Sequence, residues 1–467
     1  MAESAHSTIG WIEIFRGGRG PRVAAFSLAV WLHAADSLMV ATTLPSAVAE
    51  IGGEAYIGWA YTLYLLGTIL IGAATGLLAI RLGLRTSFLM AGGLFALGCA
   101  ISALSPTMTI LLAGRFVQGI GGGWQVALVY VALDRLFPNQ LMPKLIALTS
   151  VVWTVSAFCG PLVGGIFANA GVWRMAYWAF AGQAVLFVLL VLATVPRGRQ
   201  AETTADGRVP FWRLLLVAGG VLLIATVGAH PDTVLGPIMV LAAALLLGAF
   251  LWLDGQKRSN AMLPPSPFSP KSAYGAGLLM IVTLALGTMS LIAYGTFFFE
   301  RLYQQTPLAA GFILAIESIA WGVLAIVFAN AGPRAERRLI RAGASTAAIG
   351  VVGLALAMPM GDLTLVLPFV ALQGAGFGMM WGFVIRRVVA DAAPEERERT
   401  SAAVSTSQQF GYAVGAAAAA IVANGLGFTE DASLATIREV AFWIFAAFLP
   451  VVAVGVWAAW RLSRDGN

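Results

Sequence analysis

Apolar runs of about 20 residues recur along almost the whole chain, and they limit its possible folds more than any other feature. Each run is long enough to cross roughly 30 Å of hydrocarbon as a helix. A backbone in lipid must satisfy its own hydrogen bonds, and no pattern of short alternating barrel strands is present, so helices are favoured. The sequence predicts fourteen transmembrane helices, at residues 23–49, 55–80, 86–104, 107–133, 143–170, 173–195, 211–229, 234–253, 274–299, 308–330, 339–358, 363–390, 400–424 and 440–460.

The positive charges are distributed unevenly between the two sides of these helices. If the N-terminus is cytoplasmic, 24 of the 28 Lys and Arg residues lie on the cytoplasmic side; the exceptions are Arg174, Arg301 and Arg438 outside and Arg115 within a helix. This asymmetry follows the positive-inside rule and supports an even number of helices. We therefore expect a multi-pass protein of the cytoplasmic membrane with both termini in the cytoplasm. Its basic residues set topology and do not form a nucleic-acid patch.

Composition and motifs exclude several classes of protein. A chain that is 59% hydrophobic and 11% charged cannot form a water-soluble domain with a polar shell. The polar, basic stretch MAESAHSTIGWIEIFRGGRGPR is not a removable signal peptide, and Cys99 and Cys159 lie in apolar runs as small buried side chains. The histidines are His6, His33 and His230, and no HExxH, CxxC, phosphate-loop or GxSxG pattern occurs. The sequence gives no support for a metal, a cofactor or an enzyme.

Two polar stretches, PRGRQAETTADGRVP and DGQKRSNAMLPPSPFSPKS, separate two helices from two groups of six. The chain is therefore predicted to be an all-α membrane protein of two six-helix bundles with two inserted helices. The expected segments are a cytoplasmic tail at 1–22, a bundle at 23–195, a linker at 196–210, the inserted pair at 211–253, a linker at 254–273, a bundle at 274–460 and a tail at 461–467.

The two six-helix groups carry matching motifs. QGIGGGW begins at Gln118 in the fourth helix, and QGAGFGM begins at Gln373 in the fourth helix of the second group. Each of these helices ends near an Asp and a Pro about 20 residues later, and the following helices carry GPLVG and GYAVG. Repeated halves are typical of transporters, whose binding sites lie near the bilayer midplane between the halves.

Some residues of the first half have no counterpart in the second. Gly160 and Gly164 match Gly411 and Gly415, which allow close helix packing, but Pro161 is not shared. Proline removes an amide hydrogen bond, so the fifth helix is expected to bend or loosen about one turn before it. The alternative is a glycine-lined packing face with a tolerated kink.

Three charged residues, Asp36, Arg115 and Glu317, lie deep within the apolar runs and away from their ends. Arg115, where the second half has Val370, costs roughly 2.5–3.5 kcal/mol to insert and needs a partner, for which Asp36 in the first helix is the obvious candidate. A static ion pair is the alternative to a role in proton transport. Glu317 is a second candidate for proton coupling, unless it only reaches a watery vestibule or stays protonated. Glu300 is expected to be interfacial.

Aromatic, imidazole and amide side chains are plentiful in the helices and could stack on an amphiphilic ligand, although packing in the core or at the interface is the alternative for each. The candidates for lining a substrate cavity are Trp31, His33, Gln118, Trp124, Gln125, Trp153, Tyr294, Trp321, Gln373 and Trp381.

The motifs together resemble those of the fourteen-helix drug:proton antiporters of the major facilitator superfamily. GRFVQGIGGG is similar to the family's fourth-helix arginine motif, SAFCGPLVGG to its fifth-helix antiporter motif, and DSLMVATTLP to its first-helix motif. The resemblance implies that Asp36 and Arg115 take part in proton coupling, and that Gly160, Pro161 and Gly164 shape conformational exchange.

The loop GLLAIRLGLRT also resembles a family motif, one that helps to latch the two halves on the cytoplasmic side. It keeps Gly76, Arg81, Gly83 and Arg85 but has Ile80 where an aspartate is usual. The resemblance implies a gating role for the four shared residues.

The sequence thus predicts a secondary transporter, expected to act as a monomer, that exchanges a small amphiphilic solute for protons by alternating access. A nutrient symporter, a protein that moves lipid between leaflets and a non-transporting membrane receptor are the alternatives.

Overall fold

The computed structural model describes residues 11–197, 210–256, 261–329, 331–429 and 431–464. Parts of the predicted tails and linkers, at 1–10, 198–209, 257–260 and 465–467, lie outside the described residues. Within these ranges the chain forms sixteen α-helices and no β-strand. They are α1 Gly20–Ile51, α2 Ile57–Gly72, α3 Thr75–Arg81, α4 Leu84–Ala103, α5 Met108–Leu136, α6 Met142–Asn169, α7 Arg174–Thr194, α8 Phe211–Ala229, α9 Leu235–Gln256, α10 Ala273–Arg301, α11 Pro307–Phe328, α12 Pro333–Ala357, α13 Leu363–Asp391, α14 Arg397–Gly425, α15 Leu434–Ala446 and α16 Leu449–Leu462.

The helices make fourteen passes across the molecule, as the sequence predicts. By length and mean hydropathy, 13 segments of the described chain qualify as membrane spans. The fourteenth is α14, which is 29 residues long but begins with the polar sequence RERTSAAVSTSQQF. Its first half is too polar to face lipid, so this helix needs shelter from the bilayer.

Two predicted helices are each divided in the structure. The second span breaks between α2 and α3, where the Thr75 hydroxyl donates to Ile71 O at 2.9 Å and Ala74 N donates to the same oxygen at 3.0 Å. These bonds compete with the regular helical pattern. The last span starts earlier than predicted, at Leu434, and breaks before α16 because Pro450 has no amide to continue it.

Several helix starts have the capping residues that fix them. Ser272, Thr306, Asp362 and Ser433 each accept a hydrogen bond from a backbone amide in the first turn of α10, α11, α13 and α15. The helix α12 begins at Pro333, six residues before the predicted start, because its first turns are rich in arginine and escape a search for apolar residues.

Consecutive passes alternate in direction and define two faces. The terminal face carries the beginning of α1 and the end of α16, and the far face carries the end of α1 and the beginning of α2. The first half, α1 to α7, contacts the second half, α10 to α16, through α6 with α11 and α2 with α14. These two seams enclose the centre of the molecule.

The inserted helices α8 and α9 pack outside the seam between α2 and α14. Trp59 Nε1 of α2 donates to Ala225 O at 2.7 Å, and Asn424 Nδ2 of α14 donates to Gly228 O at 2.6 Å and to Ala55 O at 2.9 Å. At the terminal face the buried Arg213 of α8 and Asp254 of α9 form an ion pair. Helix α9 ends at Gln256, past residue 253, where the inserted segment was predicted to end. The two inserted helices lie at the periphery, but α8 is hydrogen-bonded to both halves.

Candidate functional site

A buried ion pair lies between α1 and α5 in the first half. Asp36 and Arg115 are both completely buried, and Arg115 Nη1 lies 2.8 Å from Asp36 Oδ2. The partner proposed from the sequence is therefore the one observed. A charge at this depth is tolerated only when it is paired and hydrogen-bonded, which explains why the two residues occur together.

Polar groups from three helices surround this ion pair. Gln118 Nε2 donates to Asp36 Oδ1 at 3.2 Å, while Gln118 Oε1 accepts from Arg115 Nη1 at 3.1 Å and from the Ser102 hydroxyl at 3.2 Å. Arg115 Nε donates to Ala60 O at 3.4 Å. Arg115 Nη2 has no partner among the described residues. The hydrogen bonds of the ion pair are therefore nearly all satisfied, apart from those of this one buried nitrogen.

A chain of rings connects the ion pair to a more accessible position. The Arg115 guanidinium lies 4.2 Å from the Tyr64 ring centroid, and the Tyr64 hydroxyl lies 2.9 Å from His33 Nδ1. The His33 ring contacts the half-buried Trp153 edge-on, with centroids 5.7 Å apart. These contacts form a continuous path from Trp153 to the ion pair. The sequence did not single out Tyr64.

The matching motifs of α5 and α13 occupy matching places. A Cβ atom built on Gly98 would lie 2.5 Å from Gln118 N, and one built on Gly350 would lie 2.7 Å from Gln373 N. Similarly, Gly119 lies directly against the backbone of Tyr64, and Gly374 lies directly against the backbone of Glu317. Glu317 thus stands in the second half where Tyr64 stands in the first.

Glu317 on α11 is the candidate acid within the transmembrane part of the second half. Its Oε1 accepts a hydrogen bond from Gln373 Nε2 at 2.9 Å, and the residue is only half buried. One turn further along α11, the Trp321 ring stacks on Phe377 with centroids 4.9 Å apart and meets Trp381 edge-on. An acid therefore lies beside a broad aromatic surface.

The ten predicted cavity residues divide into two groups. Six are buried in the helical core and expose little or no surface in this conformation: His33, Gln118, Trp124, Gln125, Tyr294 and Gln373. Four are half-buried: Trp31, Trp153, Trp321 and Trp381. For the first group, the structure supports the packing alternative. Gln118 and Gln373 instead position the two intramembrane acids.

Three polar side chains on α14, those of Ser401, Ser405 and Gln408, were missed by the search for candidates in the sequence. Ser401 and Ser405 are exposed, and Gln408 and Tyr412 are half-buried on the same side of the helix, where Gln408 Nε2 donates to the Tyr412 hydroxyl at 3.3 Å. Exposed hydroxyl groups are less favourable against lipid than apolar side chains are, so this side of α14 is poorly suited to face the bilayer. The spacing i, i+4, i+7, i+11 was a readable signal of a polar side on this helix.

The antiporter-like motif lies where α6 contacts both α1 and α11. Cβ atoms on Gly160 and Gly165 would lie 2.6 Å from Ala35 O and 2.9 Å from Leu308 Cα. The helix α6 is continuous through Pro161, so it does not open there. Proline leaves the carbonyl of Ala157 without its helical partner, and the Ser318 hydroxyl of α11 donates to that oxygen at 3.1 Å.

We expect Ser318→Ala to lower the apparent unfolding temperature by the equivalent of about 1 kcal/mol, because it leaves the Ala157 carbonyl without a donor. In a Pro161→Ala background the new amide can bond to Ala157 O, so the same substitution should then cost much less. Thermal unfolding of the wild type, the two single variants and the double variant measures this coupling. Ser290→Ala is a matched control, since the buried Ser290 hydroxyl makes no hydrogen bond to any residue that the structure describes. An equal cost of Ser318→Ala in both backgrounds would contradict this account.

Three hydrogen bonds cross between the halves on the far side of the molecule. Thr296 Oγ1 donates to Ala41 O at 2.5 Å, the Tyr61 hydroxyl donates to Ile292 O at 3.1 Å, and Thr62 Oγ1 donates to Ala413 O at 3.1 Å. These bonds hold the two halves together between the centre of the molecule and the far face.

The loop predicted to gate the terminal face spans α3 and the start of α4. Gly83 has a φ of 78°, which only glycine adopts without strain, and its carbonyl accepts from the Ser87 hydroxyl at 2.9 Å. Gly76 has open space around it, Arg81 is exposed and Arg85 is half-buried. The turn therefore explains why residue 83 is a glycine, while a gating role for Gly76, Arg81, Gly83 and Arg85 stays a prediction.

A family model described as Major Facilitator Superfamily matches residues 26–416. The chain belongs to the Major Facilitator Superfamily. It is a membrane transporter and not an enzyme, as the motifs indicate. A probable multidrug-efflux transporter of Mycobacterium tuberculosis is 31% identical to it, over 99% of this chain and 98% of the relative.

Solved structures share this superfamily fold. A D-xylose-proton symporter aligns with a TM-score of 0.66 and 17% identity, over 95% of this chain and 97% of the symporter. A POT family transporter in complex with a thioalcohol conjugated peptide aligns with a TM-score of 0.69 and 12% identity, over 95% and 98% of the two chains. These similarities establish the fold of the present transporter.

Proposed function

We propose that this transporter exports a small amphiphilic solute from the cytoplasm in exchange for protons. The observation that carries the proposal is the buried Asp36–Arg115 pair, which exists in one half only and is linked to the central region through Tyr64 and His33. In this proposal the terminal face is cytoplasmic, the protein lies in the cytoplasmic membrane, and one copy of the chain is the working unit.

The proposed coupling follows from the contacts of the ion pair. A proton on Asp36 removes the charge that Arg115 faces, while Arg115 keeps Gln118 and Ala60 O as partners. In this proposal the ion pair has different surroundings when the transporter is open to the cytoplasm and when it is open to the outside. Asp36 then binds a proton with different affinity in these two conformations, which is the requirement for coupling. One proton moving inward at 100 mV contributes about 2.3 kcal/mol from the potential alone. Glu317 is the candidate for a second titrating group.

The second half suggests which solutes would bind. The half-buried Glu317 carboxylate and the ring of Trp321 favour a ligand with an apolar body and a positive charge. The name of the M. tuberculosis relative, a probable multidrug-efflux transporter, agrees with such a substrate class.

The test is proton release from purified protein in weakly buffered solution. We expect tetraphenylphosphonium to release protons, whereas tetraphenylborate, which has the same shape and the opposite charge, should not. Glu317→Gln should weaken the response to the cation, by about tenfold if the carboxylate contributes a charge-assisted contact. Binding of the cation without any proton release would contradict antiport, and equal responses to both ions would contradict the substrate class.

A further inference from the structure

A cleft on the terminal face is lined mainly by arginine. It has a volume of about 390 Å³, lies between the start of α12 and the end of α16, and is far from the ion pair in sequence and in depth. Its lining residues are Arg334, Arg337, Arg338, Arg341 and Ser463. The spacing i, i+3, i+4, i+7 places the four guanidinium groups on one side of the first two turns of α12.

The cleft concentrates positive charge. None of its five lining residues is acidic, and Glu336 on the same helix lies 3.2 Å from Arg386 of α13. The N-terminal amides of the 25-residue helix α12 add a partial positive charge to the same end. Because like charges repel, an anion bound among these side chains would lower their mutual repulsion.

Arginine side chains in and beside the cleft are held in place and retain spare donors. Arg341 Nη2 donates to Ser463 O at 2.8 Å, and its guanidinium lies 4.8 Å from the centroid of the Trp460 ring. Arg387 Nη2 of α13 donates to Arg464 O at 3.2 Å. The Nε atoms of Arg341 and Arg387 are both buried with no partner among the described residues.

The position of the cleft points to the membrane boundary. Trp457 and Trp460 at the end of α16 are 45% and 50% exposed, and the Arg461 guanidinium lies 5.4 Å from the Trp457 ring centroid. Exposed tryptophans at a helix end are typical of the interface between headgroups and acyl chains. A ligand of the cleft can therefore keep its apolar part in the bilayer.

We propose that this cleft binds the phosphate of an anionic phospholipid headgroup. A phosphodiester offers several acceptor oxygens to guanidinium donors, and basic pockets between transmembrane helices on the cytoplasmic side suit such headgroups. The lipid would tie the start of α12 to the end of α16, at the outside of the second half. The transport function proposed above does not require this site.

Native mass spectrometry of the full-length protein in detergent provides the test. The purified protein is titrated with phosphatidylglycerol, phosphatidylcholine or inorganic phosphate. In the test variant Arg334→Gln/Arg338→Gln, both replaced side chains are exposed, so folding should be unaffected. The control variant Arg135→Gln/Lys144→Gln removes the same charge from the terminal face of the first half.

We expect wild-type protein to retain phosphatidylglycerol in preference to phosphatidylcholine, and the test variant to bind it about tenfold to thirtyfold more weakly. The control variant should bind it as the wild type does. An unchanged test variant, or an equal loss in the control, would overturn the site. If inorganic phosphate displaced the lipid at equal concentration, a soluble phosphate would be the ligand and the lipid assignment would be wrong.

Discussion

Asp36→Asn is expected to abolish pH-driven accumulation of substrate while leaving exchange without a gradient measurable. Asparagine keeps an acceptor for Arg115 Nη1 and has nearly the shape of aspartate, so the packing of α1 against α5 should survive. It cannot take up or release a proton. Because coupling needs a group whose protonation differs between conformations, the variant should bind and exchange substrate but lose the energy of the proton gradient.

The measurement is transport into proteoliposomes with an imposed pH gradient, beside counterflow without one. The chain supplies a matched control in Asp254, a second buried aspartate paired with arginine, which lies in the inserted helices. Asp254→Asn should leave pH-driven accumulation close to that of the wild type. Full accumulation by Asp36→Asn would transfer the coupling role to Glu317, and equal losses in both variants would indicate a general defect of folding.

The fold was largely predictable because the membrane imposes strict rules on sequence. Apolar runs, charge asymmetry and the repeated QGIGGGW and QGAGFGM motifs predicted the fourteen passes and the two halves. The same rules predicted that Arg115 must find an acid, and Asp36 is the acid it finds. Burial of a charge leaves few solutions, so such a contact can be inferred from residue types alone.

The environment of the candidate site was less predictable, since it depends on packing between distant segments. Tyr64 would have been found if the halves had been aligned by their glycines, because it occupies the place of Glu317. Nothing in the sequence shows that Ser318 replaces the hydrogen bond that Pro161 removes. That contact depends on the register between α6 and α11, which only the folded chain defines.

Aromatic residues were also hard to assign from sequence. Trp124 and Trp321 are the same residue type in equally apolar runs of sequence. Trp124 is nevertheless buried in α5, whereas Trp321 is half-buried one helical turn from Glu317. A helix in a bundle has core, cavity and lipid sides, and hydropathy does not separate these three. The polar side of α14 could have been assigned from the sequence, because serine and glutamine are unfavourable both in lipid and in an apolar core.

Arg115→Ala is expected to have a large effect on both stability and transport. Removing one partner of a buried ion pair typically costs 3–5 kcal/mol, and Asp36 would be left with Gln118 as its remaining donor. Arg115→Lys should restore only part of the loss. An ammonium group could reach Asp36, but it cannot also donate to Ala60 O and lie over the Tyr64 ring as the guanidinium does.

The double variant Asp36→Asn/Arg115→Gln separates a structural from a functional role of the pair. It leaves no charge buried and retains groups that can hydrogen-bond to each other, so its apparent unfolding temperature should exceed that of Arg115→Ala. It should nevertheless show no pH-driven accumulation, because the titrating group is absent. Thermal unfolding and proteoliposome transport of the same preparations give the two readouts. If accumulation recovers together with stability, the pair serves the fold alone, and coupling must be sought at Glu317.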